Sequence, residues 1–127
     1  MSKICKIKDI LIGDGIPKVC VSVVSDNHQA IITDIIRLMD YDIDIIELRI
    51  DYFKELLNQQ KLKELFKMIA TLEMKQALIL TYRSVKEGGL GELSHEEYIN
   101  LYKIALESGA FDIYDVELSS GTNAKIG

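Results

Sequence analysis

The chain has 127 residues, 48% hydrophobic and 28% charged, with 15 basic against 20 acidic side chains and a net charge of -5. That length suits one domain able to bury a core, and an acidic chain without a basic, aromatic-interleaved stretch is not expected to bind nucleic acid. Two distant cysteines, Cys5 and Cys20, indicate neither a zinc site nor a disulfide framework; with no leader-like start and no apolar run near the ~20 residues of a membrane span, a cytoplasmic location is expected.

In chain order, residues 3–12 suggest two short strands joined by a tight turn, and Gly13-Asp-Gly-Ile-Pro17 closes that unit. Val19-Cys-Val-Ser-Val-Val24 is a β-branched run apolar on both faces apart from Ser22, as a central parallel strand requires. Ser25 or Asp26 can cap the next helix, where Ile31, Ile32, Ile35, Ile36, Leu38 and Met39 recur at helical spacing. A strand over 42–51 follows, with Ile46, Leu48 and Ile50 on one face and Ile45, Glu47, Arg49 and Asp51 on the other. A second helix presents Leu62, Leu65, Phe66, Ile69 and Leu72. The third core strand is Gln76–Ser84, leading into a loop, 85–92, whose three glycines suggest suppleness. Ser94 and Glu97 form a capping box for a third helix carrying Tyr98, Leu101, Tyr102, Ala105 and Leu106 and stopped by Gly109. Phe111–Leu118 is the fourth core strand, and 119–127 shows no pattern.

A hairpin followed by βαβαβαβ calls for a parallel sheet with right-handed crossovers. Two architectures compete, a doubly wound open sheet of flavodoxin type and part of a (β/α)8 barrel. One face of the strands carries Glu47/Arg49/Asp51, Thr81/Arg83 and Asp115/Glu117, on which helices could pack only by burying charge at high cost. Helices on one face only means barrel geometry. A whole barrel takes about 250 residues, so the expected fold is α/β, the first half of a (β/α)8 TIM barrel: one partial domain over 1–127, with the hairpin in 1–15, the βαβαβαβ unit in 18–118 and the tail in 119–127.

Barrel enzymes build their sites at the C-terminal ends of the strands, which selects Ser22, Glu47, Arg49, Arg83 and Glu117. Two arginines from neighbouring strands with a carboxylate between them would suit a small hydroxyl- or carboxylate-bearing molecule. A structural ion-pair network is the plainer alternative. His28 and His95 fall in first turns of helices and read as surface residues, Lys86 as an exposed loop residue, and Gly88-Gly-Leu-Gly91 as a flexible loop rather than an anion cradle. No cluster has metal-ligand spacing.

Ile12-Gly-Asp-Gly-Ile-Pro-Lys18, Val21-Ser22, Ile46-Glu-Leu-Arg-Ile-Asp51, Thr81-Tyr-Arg-Ser-Val-Lys-Glu-Gly-Gly89 and Asp115-Val-Glu-Leu118 together resemble the type I 3-dehydroquinate dehydratases, in that family's order and spacing. Where the family commonly has Trp this chain has Leu48, at a position that should face the helices. The resemblance implies a lyase of the shikimate pathway, in aromatic amino-acid biosynthesis, that converts 3-dehydroquinate to 3-dehydroshikimate through a lysine Schiff base. It implies that Ser22, Glu47, Arg49 and Arg83 line the substrate site, that Glu87 corresponds to the acid orienting a catalytic histidine, and that no metal or organic cofactor takes part.

The family's histidine and Schiff-base lysine belong to strands beyond the fourth, as do the later arginine, serine and glutamine that close over the substrate. The chain alone is therefore expected to be inactive or nearly so. A half-barrel should leave its first and fourth core strands as unpaired edges and its charged face half covered. It would then associate with a missing C-terminal half, or serve as a non-catalytic module that binds a small polyhydroxy acid or forms a homodimer.

Overall fold

The computed structural model describes residues 2–4 and 19–116. Five strands lie in one sheet in chain order: β1 (Ser2–Ile4), β2 (Cys20–Val23), β3 (Ile45–Arg49), β4 (Ala77–Thr81) and β5 (Ile113–Asp115). β2 to β5 are parallel, and β1 runs antiparallel along the outer edge of β2, pairing Ser2 with Val23 and Ile4 with Val21. The first core strand is thus not an open edge, which corrects that expectation: β1 supplies the backbone partners. The second arm of the expected hairpin, the Gly13–Pro17 stretch and the tail lie outside the described residues.

Three helices connect the parallel strands, α1 (His28–Met39), α2 (Gln59–Ala70) and α3 (His95–Ser108). Their buried side chains share one core with Val23, Ile46, Leu48, Leu78 and Leu80, all from one face of the sheet. The opposite face carries a separate small cluster, Cys20, Ile45 and Ile79 with Ala77 and Ile113, to which no helix residue contributes. Helices therefore cover one face only, and the strand order contains no reversal, so the doubly wound reading falls and the barrel reading stands. Leu48 is fully buried on the helix side, as its alternation with Glu47 requires.

Local signals held in most places and failed in instructive ones. The capping box of Ser94 and Glu97 is formed in both directions, and Gly109 ends α3 at φ 68°. Asn27, rather than Ser25 or Asp26, caps α1 by accepting from the Ala30 amide; Ser25 instead donates to Asp34, and Asp26 pairs with Lys54. Ile36 and Leu106 are half exposed, whereas Ile104 is buried. Ile104 belongs to the same core as Leu62, Leu65, Phe66 and Ile69 of α2, so a neighbouring helix decides which edge of the apolar stripe is covered. Cys20 is disulfide-bonded, whereas the sequence indicates no disulfide framework.

Aromatic rings tie α3 to the strand ends. Tyr98 and Tyr102 have centroids 5.0 Å apart, Tyr82 lies 5.3 Å from Tyr98, and Tyr102 lies 6.3 Å from Tyr114. The Tyr102 hydroxyl donates to the Asp115 carbonyl at 2.6 Å, fixing the end of β5. Burial, reinforced by Tyr98 and the Asp115 charge, holds this phenol well above its ordinary range. A raised folded value means that its contribution to stability is complete below the unfolded value of about 10 and is lost as pH rises beyond it. Tyr102→Phe is expected to cost about 1 kcal/mol at neutral pH, by removing the hydrogen bond to the part-buried Asp115 carbonyl, and to reduce the loss of stability above pH ~10. Urea unfolding at two pH values measures both effects.

Candidate functional site at the C-terminal strand ends

The register brings one row of polar side chains to the helix-free face. Ser22 pairs with Glu47 across β2 and β3, and Arg49 with Thr81 and Thr81 with Asp115 further up the sheet. Glu47 is only 8% exposed. Ser22 Oγ donates to its Oε1 at 2.5 Å and Thr81 Oγ1 to its Oε2 at 2.8 Å, so the carboxylate is held from both sides by neutral hydroxyls rather than by a cation. A carboxylate accepts at about four lone-pair positions. Among the described residues each oxygen of Glu47 therefore accepts one hydrogen bond and has a second acceptor position left over.

Above Glu47 the chain leaves β3 in a 3-10 turn, Ile50–Tyr52. Asp51, on that turn, receives Arg49 Nε on Oδ1 and Arg49 Nη2 on Oδ2, both at 2.9 Å. The Arg49 guanidinium also lies over the Tyr52 ring, 5.2 Å from its centroid. Burial opposes the Arg49 charge, but the hydrogen bonds and attraction of Asp51, with lesser help from Tyr52 and Glu47, raise its pKa above the ordinary value. Arg83, just past β4, is held more loosely, by one hydrogen bond of 3.2 Å from Nη2 to Asp115 with both side chains 37% exposed.

The glycine loop after β4 is tied together by backbone hydrogen bonds. It closes on itself through Val85 N–H to Gly91 O at 2.9 Å, Gly89 N–H to Ser84 O at 2.8 Å and Gly91 N–H to Arg83 O at 3.0 Å. Gly91 lies against the Tyr82 ring and Gly89 against the Arg83 backbone, each so close that an added Cβ would sit 2.3 Å from the nearest atoms. These glycines serve close approach rather than flexibility.

The family model for type I 3-dehydroquinase matches residues 19–126. The chain belongs to the type I 3-dehydroquinase family. The 3-dehydroquinate dehydratase of Escherichia coli O6:K15:H31 is 34% identical over 119 residues, which cover 94% of this chain and 47% of that protein. Among solved structures, the type I 3-dehydroquinate dehydratase of Clostridium difficile superimposes with a TM-score of 0.78 at 36% identity, over 91% of this chain and 46% of the other. The Enterococcus faecalis 3-dehydroquinate dehydratase gives 0.80 at 30% identity, over 91% and 48%. The chain thus spans about half the length of the curated relatives it matches.

Of the residues singled out in the sequence, Ser22 and Glu47 are hydrogen-bonded to each other, and Arg49 and Arg83 both meet Asp51, the former through its guanidinium and the latter through its backbone N–H at 3.2 Å. The two guanidiniums do not share a carboxylate: that of Arg49 is held by Asp51 and that of Arg83 by Asp115. Glu87 is exposed on the loop, and its carboxylate makes no hydrogen bond or ion pair among the described residues. Lys86 and His95 are exposed, and His28 opens α1 half-buried. Glu117 lies outside the described residues. A cavity of about 430 Å³ opens beside the cluster, between Ser25, Asp26, Tyr52, Lys54 and Leu90, and none of the predicted site residues lines it. Thr81 and Asp51 were visible in the sequence as members of the polar rows, but nothing there separated them from their neighbours. No group of His, Cys, Asp and Glu among the described residues is placed to hold a metal ion, and no described helix is long and apolar enough to cross a membrane.

Proposed function

We propose that this chain supplies the substrate-holding part of a 3-dehydroquinate dehydratase, which eliminates water from 3-dehydroquinate to give 3-dehydroshikimate in the cytoplasmic shikimate route to aromatic amino acids. The observation that carries the reading is Glu47, a buried carboxylate clamped by Ser22 and Thr81 with an acceptor position spare on each oxygen, next to the donor-rich Arg49. That pairing of fixed acceptors and fixed donors suits a ring bearing several hydroxyls and a carboxylate.

In this reading Ser22, Glu47, Arg49 and Arg83 hold the ring hydroxyls and carboxylate, and Glu87 orients the histidine that removes the proton and later protonates the departing hydroxyl. A lysine forms the imine whose nitrogen takes up the developing carbanion's electrons. By the family resemblance, that lysine and histidine come from strands other than the four parallel ones here, no metal or organic cofactor enters, and the chain works only with the complementary half of the barrel. Arg49 and Arg83 position the substrate and do not transform it.

The test follows the conjugated enone of dehydroshikimate with this chain alone and with the complementary half supplied. No measurable turnover is expected from the chain alone, and turnover is expected on reconstitution. Borohydride reduction in the presence of 3-dehydroquinate should leave this chain unlabelled and label the added half. Covalent labelling of this chain, or a folded complex without turnover, would overturn the proposal.

A further inference from the structure

We propose that Asp51 is a positioning residue that never touches substrate: it sets the direction of the Arg49 guanidinium and anchors the 84–91 loop to the end of β3. The inference rests on the reading of Arg49 as a substrate-holding residue, and its structural half can be tested without that reading.

Saturation of the carboxylate carries the argument. Oδ1 of Asp51 accepts from Arg49 Nε and from the Arg83 amide at 3.2 Å, while Oδ2 accepts from Arg49 Nη2 and from the Leu90 amide at 3.1 Å. Four donors fill the roughly four acceptor positions of a carboxylate, so none remains for a ligand. Glu47 accepts one described bond per oxygen and so differs in kind from Asp51, although both lie on the same polar row of the sequence. The Asp51 side chain is 0% exposed and that of Arg49 is 14% exposed, so solvent does not compete for the carboxylate that fixes the guanidinium.

The geometry also defines what is left to the ligand. A guanidinium has five N–H bonds. Asp51 occupies the edge formed by Nε and Nη2, and Tyr52 lies across the plane, which leaves the two N–H bonds of Nη1 and one of Nη2. Those three point from a plane fixed on one edge and one face, so the position of the donors is set before substrate arrives. Through Leu90, the same carboxylate pins the loop that bears Glu87, and so couples the placement of both predicted site elements to one side chain.

Asp51→Asn keeps the shape of the side chain but removes its charge and replaces one acceptor oxygen by a donor. Hydrogen exchange followed by NMR on the folded chain reads the anchoring directly, with Arg49→Lys assigning the Arg49 Nε–H resonance. In Asp51→Asn, exchange at Arg49 Nε–H and at the Leu90 amide is expected to accelerate by about tenfold or more while amides within α2 keep their protection. In the reconstituted enzyme, Asp51→Asn should raise KM for 3-dehydroquinate about tenfold with a smaller change in kcat. The Asp51→Asn, Arg49→Lys double variant should be little worse than Arg49→Lys alone. If the Asn variant does not fold, Asp51→Glu replaces it: the longer arm retains the ion pair but cannot keep both amides, so Leu90 exchange should still accelerate.

Unchanged exchange at both groups overturns the anchoring, and additive effects on KM overturn the action through Arg49. An inactive reconstituted wild type would count against the proposed reaction, while the exchange measurement would still decide the role of Asp51.

Discussion

Gly89→Ala is expected to destabilise the folded chain by about 3 kcal/mol and to detach the loop from the site. The obstruction is steric, because an added Cβ would stand 2.3 Å from both the Cβ and the carbonyl oxygen of Arg83. Backbone cannot rotate aside as a flexible side chain would, so the 84–91 segment must lift. Lifting it strains the bonds from Gly89 N–H to Ser84 O, from Gly91 N–H to Arg83 O and from Leu90 N–H to Asp51. Gly88 next door makes the comparison: it has a left-handed φ of 87° with nothing within 4 Å of an added Cβ. Gly88→Ala should therefore cost only about 1–2 kcal/mol, the conformational penalty alone. Urea midpoints at unchanged m-value measure both variants. Equal losses would contradict the close-approach account of Gly89.

Phe66→Ala should cost more, about 3–5 kcal/mol. Phe66 is fully buried on α2 and meets Phe111 edge-to-face, with centroids 5.0 Å apart and planes at 87°. Phe111 lies 6.0 Å from Tyr114, so the contact joins α2 to β5 through rings rather than through a hydrogen bond. Truncation removes a large apolar surface and leaves a cavity that neighbouring strands are too constrained to fill. Phe66→Leu, which keeps most of the volume, should lose well under half as much. A midpoint for Phe66→Ala within about 1 kcal/mol of wild type would mean that the core collapses around the gap.

Much of this architecture was legible in the residues themselves. Alternation along Ile45–Arg49 placed Leu48 toward the helices and Glu47 away from them, because strand side chains change face at every residue. The charge on that second face then excluded helices there, since burying unpaired carboxylates and guanidiniums costs more than helix packing returns. The capping box at Ser94 and Glu97 and the stop at Gly109 were equally readable, because they depend on neighbours three or four residues away.

Other features depended on partners that the sequence does not bring together. A polar row such as Glu47, Arg49 and Asp51 gives no sign of which carboxylate stays open to a ligand and which is saturated. That division depends on Ser22 and Thr81 from β2 and β4 and on the Arg83 and Leu90 amides, 32 and 39 positions from Asp51. The glycines of the 84–91 loop read as slack because composition reports only conformational freedom, whereas their function is to admit Arg83 and Tyr82 at short range. Ile104 is covered and Leu106 is not because α2 lies on one flank of α3, which no periodicity encodes. By itself the sequence determined faces, element types and the family resemblance, all set by neighbours close along the chain and by the cost of burying charge. Only the tertiary structure decided which polar groups are free and which are anchored, since a lone pair is filled by whichever donor the fold carries to it.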